Sequence, residues 1–93
     1  ETTGLPSPGN NPSITELCFI AVTREELLTQ QRTPRVRNKL LLCLNPCKHI
    51  EYSATKVTGL HNDALEDMPT FKKQAQLISM FLTNLPQPAC LIA

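Results

Sequence analysis

Tryptophan is absent from this 93-residue sequence, tyrosine occurs once and phenylalanine three times. A core here must therefore be built from Leu and Ile, and few ring faces are left over for stacking on ligands. Gly4, Gly9 and Gly59 are the three glycines, and none lies in a loop of the kind that cradles a phosphate. Neither a Ser-centred elbow nor an HExxH pair occurs. The carboxylates Glu25, Glu26, Glu66 and Asp67 fall at expected helix starts, where the helix dipole accounts for them. The residues thus read as a non-enzyme that needs no cofactor and no metal. Charge of one sign is scarce too: the net charge is +1, too little for a global field that would steer the chain onto nucleic acid. No apolar run approaches the roughly 18 residues that a membrane span requires, so a soluble protein is expected.

Four cysteines are present, Cys18, Cys43, Cys47 and Cys90. Three of them sit inside apolar runs, where a thiol behaves as a small hydrophobe, and no glycosylation acceptor accompanies them. Reduced thiols and an intracellular location, cytoplasmic or nuclear, follow as the expectation. The opening ETTGLPSPGNNP has linker composition. Residues 1–13 are accordingly read as a flexible linker and 14–93 as one α+β domain of a larger protein.

Within that domain the patterns succeed one another as strand, helix, strand, strand, helix, strand. Glu16–Val22 is a continuous apolar run of strand length, and Thr23-Arg24-Glu25-Glu26 is a capping box that starts a helix directly after it. Leu27 and Leu28 form that helix's apolar edge. Lys39–Leu44 reads as a second strand, Asn45–Lys48 as a turn, and the alternating His49–Ala54 as a third strand completing a hairpin. After Pro69, the positions Phe71, Ala75, Ile78, Leu82 and Leu85 recur at spacings of three and four, which predicts a long helix ended by Pro86. Ala89–Ala93 is left as a fourth strand. The order predicts a ferredoxin-like split βαβ sandwich, β-α-β-β-α-β, with a four-stranded antiparallel sheet and two helices on one face.

Arg32, Arg35, Arg37 and Lys39 are the one cluster of like charge, with Lys48 placed near them by the expected hairpin. Such a group grips phosphates or an acidic peptide. RNA-recognition modules share this strand order and carry an aromatic in the first strand, as Phe19 does here. The third strand lacks their Gly- and aromatic-rich motif, which leaves Tyr52 as the base-stacking candidate. Cys43, Cys47, His49 and His61 do not match a strong zinc spacing. Cys90-Leu91-Ile92-Ala93 matches a prenylation signal, a reading that competes with the fourth strand.

The sequence therefore favours a non-catalytic protein-interaction or self-association domain. Its partner would be another protein or a second copy, paired through the uncharged edges 40–44 and 89–93. The alternative is a nucleic-acid-binding module using the basic loop 32–39 and the open sheet face. The binding candidates are Arg32, Arg35, Arg37, Lys39 and Tyr52.

Overall fold

The computed structural model describes residues 1–29 and 32–93. It contains β1 (Glu16–Ala21), α1 (Arg24–Leu28), β2 (Asn38–Cys43), α2 (Tyr52–Thr58), α3 (Asn62–Leu65) and α4 (Phe71–Thr83). Among the described residues the sheet has two antiparallel strands, not four, and four helices accompany it. The ferredoxin-like prediction fails at three places.

The first is the direction of β2. Glu16 stands opposite Cys43 and Ala21 opposite Asn38, so β1 and β2 run antiparallel. A parallel crossover must carry the chain back along the full strand. Residues 22–37 are long enough to cross over, but their helix is only the five residues of α1, and its Leu27 and Leu28 are exposed, so it does not pack on the sheet as a crossover helix does. The short helix and the arm after it instead let the chain double back. Arg37 N donates to Ala21 O at 2.8 Å and Leu44 N to Thr15 O at 2.8 Å, which extends the pairing beyond both strand ends.

The second failure lies at 49–54. Asn45 Oδ1 accepts from Cys47 N at 2.8 Å, and Cys47 takes a left-handed φ of 53°. Asn62 then bridges the chain, its Oδ1 accepting from Ile50 N at 3.0 Å and its Nδ2 donating to Lys48 O at 2.9 Å. With that side chain supplying the partners a ladder would have supplied, the chain enters α2 instead of a third strand. The helix closes at Gly59, whose φ of 75° lies in the left-handed region and whose N–H bonds Thr55 O at 2.8 Å.

The third is the tail. Residues 89–93 pair with nothing among the described residues, and Leu91 and Ile92 are exposed. The edge that was to join a second copy therefore does not form. The other expected edge, 40–44, falls largely within β2, which pairs on one side with β1.

The long helix forms where its periodicity predicts. Thr70 caps it, accepting from Lys73 N at 3.4 Å, and Ile78 is buried on its inner face. Phe81 of α4 lies against Phe19 of β1 with ring centroids 6.1 Å apart, on the sheet face that also carries Leu17, Leu40 and Leu42. Cys18, Ile20 and Leu41 point to the other face and are exposed, where the sequence implied a strand buried on both sides. Among the described residues, Leu44, Ile50, Leu65 and Ile78 are the buried hydrophobic ones.

The opening segment, expected as a linker, carries defined contacts. Pro8 and Gly9 (φ 79°) occupy the centre of a turn in which Asn10 N donates to Ser7 O at 2.9 Å. Thr3 N bonds Ser13 O, and Thr15 N bonds Glu1 O, each at 2.9 Å. Glu51 N reaches Thr3 O at 2.8 Å, tying this hairpin to the start of α2.

Candidate nucleic-acid interface

The sequence that follows α1 contains a proline and three arginines within six residues, too polar to bury and too broken to continue a helix. What gives this arm its shape is Glu26. Thr23 Oγ1 accepts from Glu26 N at 3.2 Å, the first half of the expected capping box. The second half, in which the Glu26 side chain returns to the cap amide, gives way to contacts with the arm. Glu26 Oε1 lies 3.3 Å from Arg32 Nη2 and 3.6 Å from Arg37 Nη2, and Oε2 accepts from Arg35 N at 3.4 Å.

Burial on α1 is consequently the reverse of the hydrophobic order. The Glu26 side chain is 10% exposed, while Leu27 and Leu28 face solvent. The arginines that hold it keep their outer faces in water, with side-chain exposures of 71% for Arg32 and 49% for Arg37. Each guanidinium carries five N–H donors in a planar fork, and Glu26 engages one nitrogen of each. The remaining donors are directed elsewhere.

The other predicted site residues are distributed. Arg35 is exposed, joining the cluster through its backbone amide, and Lys39 is an exposed residue of β2 opposite Ile20. Lys48 leaves the cluster altogether: its Nζ donates to Asn10 Oδ1 at 3.2 Å and to Asn11 O at 2.8 Å, pinning the opening hairpin. Tyr52, 80% exposed, begins α2 and lines a cleft of about 400 Å³ with His49, Thr55, His61 and Asp63. No three His, Cys, Asp or Glu side chains converge to hold a metal ion among the described residues. Glu26 is the member of this site that sequence reading missed as a binding element. Its local pattern announced a cap, and the arm that redirects it returns only after a loop.

The proteins that this chain resembles include repair exonucleases. No family model matches it. Over 106 aligned residues, taking in all of the chain, it is 38% identical to three-prime repair exonuclease 1 of Bos taurus and 39% identical to that of Homo sapiens. It is 31% identical over 103 residues to three prime repair exonuclease 2 of Mus musculus. The chain spans 33% of the length of the first two and 43% of the third. Similarity along the whole chain to proteins named as enzymes overturns the reading of a non-catalytic interaction or self-association domain, and with it that of a merely binding module. Among the described residues, no helix is long and apolar enough to cross a membrane.

Proposed function

We propose that this chain is part of an exonuclease that removes nucleotides from the 3′ ends of nucleic acid, and that the arm carrying Arg32, Arg35, Arg37 and Lys39 contacts the substrate's phosphates. Identity of 38% along the entire chain to the bovine three-prime repair exonuclease 1 carries this reading. The arm supports it chemically, because exposed guanidiniums present paired donors to phosphate oxygens without regard to base sequence, as an enzyme progressing along a strand requires. Tyr52 offers an exposed ring face on which a base stacks. The four unpaired cysteines support a reducing, intracellular setting.

The test uses the full-length protein with a single-stranded oligonucleotide labelled at its 5′ end. Stepwise shortening from the unlabelled end is expected, with a circular single strand left intact. A cut circle, or a linear strand left whole, overturns the proposal.

A further inference from the structure

Three donors from one loop converge on a single buried carboxylate: Arg32 Nη2, Arg37 Nη2 and the Arg35 amide all address Glu26. We propose that this convergence is a phosphodiester-binding site in which Glu26 is a built-in stand-in for the substrate's phosphate, displaced when nucleic acid binds. The inference rests on the nucleic-acid reading above.

A carboxylate and a phosphodiester each carry one negative charge on two acceptor oxygens, so donors arranged for one suit the other. The contacts that hold Glu26 are also loose. At 3.3, 3.6 and 3.4 Å they exceed the roughly 2.7–2.9 Å of strong charge-assisted hydrogen bonds. Pairs whose cationic partner is largely solvated contribute little stability, so their exchange costs little. The leucines beside it do not hold the carboxylate inward either, since Leu27 and Leu28 are exposed and five residues of helix have little to lose by rotating. Glu26 would thus keep the arm ordered without substrate, at the cost of one charge's worth of affinity.

Glu25 supplies the control. It is exposed on the same helix, carries the same charge, and makes no side-chain contact with the arm among the described residues. Binding of the full-length protein to a cleavage-resistant phosphorothioate single strand is followed by fluorescence anisotropy at several salt concentrations. Glu26→Gln is expected to tighten binding about fivefold and to steepen the salt dependence by nearly one ion, with Glu25→Gln changing Kd less than about twofold. Glu26→Asp keeps the charge but withdraws the carboxylate by one methylene. It too should tighten binding, which a purely long-range effect of charge would not produce, and it serves if the Gln variant fails to fold. Unchanged or weaker binding by folded Glu26 variants, or an equal effect from Glu25→Gln, overturns displacement. If the double variant Arg32→Ala/Arg37→Ala binds as the wild type does, the arm does not touch phosphate and the underlying reading fails as well.

Discussion

Thr15 carries a buried hydroxyl that finds no hydrogen-bond partner among the described residues, although its backbone N–H and C=O are both bonded. An unsatisfied buried polar atom is a cost, and removing it without changing side-chain size removes that cost. Thr15→Val should therefore leave stability unchanged or raise it by up to about 1 kcal/mol in denaturant unfolding; a loss above about 1 kcal/mol would mean the hydroxyl is bonded. Gly59 behaves oppositely. A side chain at its φ of 75° is strained, so Gly59→Ala should cost about 1–2 kcal/mol, read as a lower thermal midpoint. At this scale the sequence is legible where a rule spans three or four residues. Thr23 caps α1 as its capping box implies. The fate of the Glu26 side chain was not legible, because its partners lie six to eleven residues on, across a loop whose path no local rule specifies.

Among the elements, α4 was the most legible. Thirteen residues give enough turns for a 3.6-residue period to stand out from chance, and one inward residue, Ile78, ends up buried. Ile78→Ala should destabilise by about 2–5 kcal/mol, as large-to-small core changes do. A loss below about 0.5 kcal/mol would place that face in solvent. The stretch 49–54 shows the contrary case. Its alternation spans six residues, too few to separate a strand from the approach to a helix, and Asn62, a dozen residues later, decides between them. Gly59 was a usable signal for the end of α2, but a preceding helix had to be suspected for it to count.

For the whole molecule, the radius of gyration is 15.8 Å, against roughly 12 Å for a compact domain of this length. The small set of buried hydrophobic residues and the exposed Ile20, Leu41, Leu91 and Ile92 agree with that open shape. The net charge of +1 gives no general attraction to nucleic acid, so the proposed phosphate binding rests on the local charge of the arm. Replacing Arg32, Arg35 and Arg37 together by alanine should weaken single-strand binding and lower the slope of log K against log salt by about 0.7 for each phosphate the arm ceases to neutralise. A slope equal to that of the wild type would move the phosphate-binding groups away from the arm.

By itself, the sequence determined what local sterics and periodicity control: the first two strands, the start of α1, the long α4, and a cluster of arginines after a proline. Tertiary structure decided whatever depends on a partner distant in the chain. It paired β2 antiparallel to β1, with the apolar edge of α1 left exposed where a crossover helix would bury it, and it drew 49–51 away from a sheet because Asn62 supplies the hydrogen bonds. It also converted a capping carboxylate into the anchor of the arginine arm. Backbone and carboxylate groups take whichever donors the fold brings to them, and that supply is set by the path of the whole chain.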